Sequence, residues 1–142
     1  MHRLKLIFVV TVICGCLFCV QACCKAYCIK QELPLRLIGY TYDQIDTILL
    51  VRYDANHQFN HVIDSLYSYS PFSGDTAYNF IENASLTHDY EIKIPATAQV
   101  FQLSSIETRK ESCNCNPGNR YVVTGYTLNG SQYNQGYIDL VK

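Results

Sequence analysis

Tryptophan is absent from this 142-residue chain, and methionine occurs once, at position 1. The lack of Trp weakens any carbohydrate-stacking platform and removes the Cys…Trp…Cys signature of true immunoglobulin domains. Charged residues make up only 16% of the chain and form no Lys/Arg run, which argues against nucleic acid as a partner. No segment keeps a helical period over ten residues, and no internal repeat is visible. A phosphate-cradling glycine loop, a G-x-S-x-G nucleophile elbow and an H-E-x-x-H zinc motif are all missing. Ser65, Ser68, Ser70 and Ser73 cluster without such a frame. The carboxylate pairs Asp43/Asp46 and Glu107/Glu111 read as solvated surface charge. Ser73-Gly74-Asp75 offers too few acidic oxygens for a calcium loop. The expectation is therefore no catalytic residue, no resident metal and no cofactor.

What is present begins at the N-terminus. Arg3 and Lys5 precede an uncharged run from Leu6 to Val20, and the segment closes on Val20-Gln21-Ala22-Cys23. A basic start, an apolar centre and a small residue before the cut form the pattern of a secretory signal. As a helix, the run would extend only about 22 Å at ~1.5 Å per residue, short of a hydrocarbon core of roughly 30 Å. Removal is therefore expected rather than retention as a span. Cys16, after Ile13-Cys14-Gly15, also ends an aliphatic-x-small box, but it leaves an apolar stretch of only about seven residues before it. Cys23 is the better acceptor. The organisation expected is a signal peptide over 1–22, a tether over 23–33 and one domain over 34–142.

The Val20-Gln21-Ala22-Cys23 box resembles the lipobox of bacterial lipoproteins. That resemblance implies acylation of Cys23, export, and a membrane as partner through the lipid. Asp46-Thr47-Ile48 leading a strand, with a terminal Gly125-Tyr126-Thr127-Leu128-Asn129-Gly130 hairpin, further resembles small Gram-negative envelope lipoproteins. It brings no active site; Cys24 rather than an acidic residue follows the anchor, which does not suggest inner-membrane retention, and an outer-membrane location is expected. The opposing reading is a secreted glycoprotein, since Asn83-Ala84-Ser85 and Asn129-Gly130-Ser131 match the glycosylation sequon.

Cysteine parity agrees with lipidation. A cut before Cys23 leaves Cys23, Cys24, Cys28, Cys113 and Cys115, an odd set for an oxidising compartment, and acylation makes it even. The spacings C-x3-C and C-x-C do not match structural zinc knuckles, so disulfides are expected. A Cys113–Cys115 bridge would close a strained ring, whereas a bridge from Cys24 or Cys28 to the 113–115 loop spans the domain. For Cys28–Cys113 the chain-entropy stabilisation is roughly 4.5 kcal/mol, against a typical total of about 5–15 kcal/mol.

About 120 residues follow the cut, enough for one domain with a sizeable core. Losing Arg3 and Lys5 leaves nine basic against twelve acidic residues, a net charge of −3. All 12 tyrosines lie beyond the leader, and Tyr, Val, Ile and Thr favour strands. The pattern predicts strands near 35–40, 46–53, 90–94, 99–103, 121–127 and 137–141, with a weaker edge strand at 61–67. The segment 46–53 has a continuous apolar centre, which predicts burial on both faces. Asn129-Gly130 is the strongest hairpin signal, and Gly136 inside the last run predicts a bulge. Residues 68–86 read as a long surface loop with a short ordered piece at 78–81. The fold expected is all-β: a single antiparallel β-sandwich of six to eight strands, immunoglobulin- or transthyretin-like in architecture.

Three functions compete at this level. The first is a non-enzymatic structural or interaction module of the cell envelope. The second is a small-ligand or glycan binder using Tyr67, Tyr69 and Tyr78 of the Tyr-rich 67–86 loop, because rigid amphipathic rings suit recognition. The third is a metal-dependent enzyme built on His57, His61 and His88. Its weakness is the turn-like setting of His57 and His61.

Overall fold

The computed structural model describes residues 29–69, 76–113 and 118–142. Among the described residues nine strands and one α-helical turn follow in order, with a 3-10 turn at Pro95–Thr97 between the fifth and sixth strands: β1 (Glu32–Ile38), α1 (Tyr42–Ile45), β2 (Ile48–Tyr53), β3 (Val62–Ser68), β4 (Thr76–Glu82), β5 (Asp89–Ile94), β6 (Gln99–Ser112), β7 (Asn119–Leu128), β8 (Ser131–Tyr133) and β9 (Ile138–Val141). They form a six-stranded sheet in the order β3-β2-β5-β6-β7-β8 and a three-stranded sheet in the order β4-β1-β9. The expected all-β sandwich is the observed architecture, with one strand more than the upper expectation.

Alternation explains which face is buried. Leu33, Leu35 and Leu37 of β1, Ile48 and Leu50 of β2, and Tyr90, Ile92 and Ile94 of β5 point into one core with Leu103, Tyr126, Ile138 and Leu140. In β2 the opposite face is also closed, since Val51 and Tyr53 are buried. Tyr53 packs edge-on against Phe59 at 5.5 Å and donates its hydroxyl to Glu91 at 2.8 Å.

Four features differ from the sequence reading. β1 starts at Glu32, inside the range read as tether, with Pro34 as its third residue. Pairing with β9 begins only at Leu35, so the ladder loses no hydrogen bond on that side to the missing proline N–H. Second, β1 and β9 run parallel, whereas the other paired strands are antiparallel; the isolated Gln31–Tyr121 bridge is parallel too. Third, the supposed loop 68–86 contains β4, a full strand. Its inward positions are Ala77, Asn79 and Ile81, and one small and one polar residue hide the alternation from a hydrophobicity reading. Fourth, β6 and β7 stay paired out to Ser112 and Asn119, so the charged 108–120 stretch is mostly a two-stranded arm.

The Asn129-Gly130 turn forms as expected, joining Leu128 to Ser131, with φ of 50° and 80° at its two central residues. Both lie in the left-handed region that a type I′ turn requires. Beyond it the expected single last strand is two. β8 pairs with β7, the chain crosses between sheets over 134–137, and β9 pairs with β1. Gly136 marks that crossing rather than a bulge within one strand.

Candidate functional site

The expected tyrosine site divides between two surfaces. Tyr67 stands opposite Leu49, on the face of β3 turned away from the core, and Tyr69 lies just beyond the strand. Tyr78 lies on β4, in the other sheet, and also points away from the core. The outer faces of two packed sheets look in opposite directions, so Tyr67 and Tyr78 share no patch.

Tyr78 instead belongs to a cluster on the outer face of the small sheet. Antiparallel pairing sets Tyr78 opposite Arg36 and Phe80 opposite Pro34, while the parallel pairing sets Arg36 beside Asp139. Tyr137, one residue before β9, meets both rings edge-on, at 5.6 Å from Tyr78 and 6.3 Å from Phe80. The Arg36 guanidinium lies 5.9 Å from the Tyr137 centroid and donates two bonds to the Asp139 carboxylate, at 2.7 and 2.5 Å. That fork holds the guanidinium flat and rigid, and the Asp139 hydrogen bond raises its already high proton affinity. Each of the three rings remains more than 40% exposed. Exposed aromatic edges around a fixed, bidentate ion pair can pack against apolar ligand surface and offer directional polar contacts.

Tyr126 positions this cluster from below. Its ring is buried, and its hydroxyl donates to the Tyr137 carbonyl at 2.8 Å. The same oxygen accepts from Gln135 Nε2 at 2.7 Å and from the Asp139 N–H at 3.3 Å. The chain between the sheets is thus pinned at one oxygen. Burial pushes the Tyr126 hydroxyl above its ordinary pKa, against the hydrogen bonds from the Asp139 N–H and Gln135, which lower it.

The three histidines read as a possible metal set each have a separate local partner. His57 donates its backbone N–H to the buried Asp89 carboxylate at 2.7 Å, with its ring Nδ1 3.2 Å away. His61 Nδ1 lies 2.7 Å from Asp54, and His88 Nδ1 lies 2.6 Å from Ser85 Oγ. Among the described residues no group of three His, Cys, Asp or Glu side chains is placed to hold a metal ion. The Ser85–His88 contact joins residues three apart in a turn, and the carboxylate of Asp89 is engaged by a different histidine.

Cys23, Cys24, Cys28 and Cys115, and the whole Val20–Cys23 box with Cys16, lie outside the described residues. Cys113 follows β6 and its N–H donates to the Gly118 carbonyl at 3.1 Å. No described helix is long and apolar enough to cross a membrane.

Sequence reasoning had no access to Phe80, Tyr137, Arg36 and Asp139 as one group. Tyr78 and Phe80 two residues apart were a usable signal, but the Arg36–Asp139 contact spans 103 positions and depends on a parallel pairing. Comparison with protein families, with curated proteins and with solved structures finds no match to this chain.

Proposed function

We propose that this chain is an exported, lipid-anchored envelope protein whose β-sandwich is a binding module rather than an enzyme. The single observation that carries the binding role is the outer face of the small sheet, where Tyr78, Phe80 and Tyr137 surround the Arg36–Asp139 pair. Rings left this exposed gain nothing from the domain's own core, whereas a bound partner would cover them. The lipobox supports anchoring through Cys23 at the outer membrane.

A second reading, a glycan as ligand, is favoured by the combination of ring edges with a planar ion pair. Sugar C–H groups pack on aromatic rings, and hydroxyls bond to carboxylate and guanidinium. The same proposal includes a disulfide from the tether to the β6–β7 loop. The Tyr121 N–H donates to the Lys30 carbonyl at 2.9 Å, so the chain two residues after Cys28 runs beside β7. Asn119, the first residue of β7, is paired with Ser112, next to Cys113.

Two measurements test this reading. In a Gram-negative host the full chain should sediment with membranes and carry an acylated Cys23, while Cys23→Ser should be released. A soluble parent, or an unmodified Cys23 in the mature chain, overturns the anchor. Intact cells should lose a crosslinked partner or labelled oligosaccharide on Tyr137→Ala but keep it on Tyr67→Ala, on the outer face of the other sheet. Equal labelling of the two variants overturns the binding face.

A further inference from the structure

Where β2 and β3 pass the end of β4, the two layers leave a cleft of about 240 Å³ between them. Leu50, Ile81 and the ring of Tyr90 are buried and form its apolar floor, and Leu66 forms one wall. The Tyr90 hydroxyl is taken up by the Ser85 carbonyl at 2.8 Å, so that ring offers the cleft mainly apolar surface. Two residues further along β3 and two back along β4, Ser68 and Asn79 bond to each other and tie the layers together. The volume falls just below the roughly 300–1,000 Å³ typical of pockets for drug-sized ligands, and suits a molecule of amino-acid size.

The rim is charged, and its polar groups are not matched within the protein. Arg52 and Asp64 stand opposite one another on β2 and β3, and Arg52 Nη2 donates to Asp64 Oδ2. Arg52 Nε is buried and meets no acceptor. Buried donors are nearly always paired, so this one marks a guanidinium that is short of an acceptor. Glu82, at the end of β4, lines the same opening and enters no ion pair among the described residues. It also faces Glu32 across the β1–β4 ladder. Arg120 acts on Glu32 but is itself held by Glu111 at 3.0 Å. One cation against two carboxylates leaves the rim net negative.

An occupant therefore needs three things: an acceptor for Arg52, a cation for the carboxylates and a short apolar stem. A simple anion lacks the second, a hydrocarbon lacks the first two, and an alkylamine lacks the acceptor. We propose that this cleft binds a small ligand carrying an ammonium beside a carbonyl on an apolar stem, the chemistry shared by an apolar amino acid and the first residue of a peptide. The stem lies against Leu50, Leu66, Ile81 and Tyr90. The ammonium faces Asp64 and Glu82, and the carbonyl accepts from the Arg52 guanidinium. This cleft lies between the layers, whereas the aromatic cluster occupies the outer face of the small sheet. The inference thus stands apart from the function proposed above.

The test uses the full chain in a non-ionic detergent, with backbone amide shifts followed by NMR as leucinamide is added. The amides of Arg52, Asp64, Leu66 and Asn83 should move saturably, while those of Tyr78 and Asp139 stay in place. N-acetyl-leucinamide lacks the ammonium and glycinamide lacks the stem, so each should bind about tenfold more weakly. Leu66→Phe fills the cleft and should abolish binding, whereas Tyr67→Ala, on the other face of β3, should not change it. Free leucine binding more tightly than the tripeptide leucyl-glycyl-glycine assigns the site to amino acids, and the reverse order assigns it to peptide N-termini. No saturable shift at millimolar leucinamide, or equal affinity for its acetylated form, overturns the proposal. So do shifts confined to the outer face of the small sheet. Should Leu66→Phe misfold, the acetylated and free amides compared on the parent chain decide.

Discussion

Replacing Tyr126 with phenylalanine removes one oxygen and leaves the buried ring in place. That oxygen donates to the Tyr137 carbonyl and accepts from Gln135 Nε2 and from the Asp139 N–H. The Tyr137 carbonyl keeps a second donor, Gln135 Nε2 at 3.0 Å, so it is not stranded. The Asp139 N–H is, because its only side-chain partner is the lost hydroxyl. A neutral hydrogen bond contributes about 0.5–1.5 kcal/mol net, and a buried donor without a partner costs about 1–3 kcal/mol. The expected loss is thus about 2–3 kcal/mol. At roughly 4 °C or more per kcal/mol for a domain of this size, the thermal midpoint should fall by about 8–15 °C. Near-ultraviolet circular dichroism during heating measures it, with Tyr69→Phe as the exposed control. Because the oxygen also fixes Tyr137 and Asp139, Tyr126→Phe should weaken binding at the aromatic face even at temperatures where the variant is folded. A midpoint within 2 °C of the parent, at about the precision of the assay, would refute the argument that one oxygen secures the crossing between the sheets.

Further expectations concern the turn, the alkaline limit and the bridge. Gly130→Val should destabilise by about 1 kcal/mol or more through backbone strain alone, since φ is +80° and a Cβ there would touch nothing within 4 Å; equal thermal midpoints for Gly130→Val and parent would contradict the type I′ assignment. Burial pushes the Tyr40 hydroxyl up to about 12, and burial raises Tyr90 and Tyr126 in the same direction. A folded pKa above the unfolded value of about 10 gives stability that is whole below pH ~10 and lost as pH rises through ~12. Tyr40→Phe should flatten that alkaline decline in a pH series of denaturant midpoints, and an unchanged slope would count against it. Cys28→Ser and Cys113→Ser should each cost up to roughly 4.5 kcal/mol in oxidised protein and nothing under reduction; peptide mapping that pairs Cys113 with Cys115 would exclude the long bridge.

The sequence by itself determined the alternation, the breaks and the hairpin. Tyr90, Ile92 and Ile94 could only be a one-sided strand, and Asn129-Gly130 could only be cheap as a left-handed turn, because both are local properties of a few residues. β2 was legible as buried on both faces for the same reason: its apolar run is continuous. β4 was not, because Ala77 and Asn79 occupy inward positions and carry little hydrophobic signal. Only the tertiary structure decided the crossing of the chain between β8 and β9, and with it the parallel pairing of β1 and β9. That pairing joins residues about a hundred positions apart, and no local pattern encodes a partner at that distance. The aromatic cluster depends on it. Tyr78 was visible in the chain as one ring near a presumed loop, but Tyr137 and the Arg36–Asp139 fork come to it only when β9 docks on β1. Tyr67 was assigned to the same loop by proximity in sequence, and sheet membership separates it, because β3 and β4 belong to different layers.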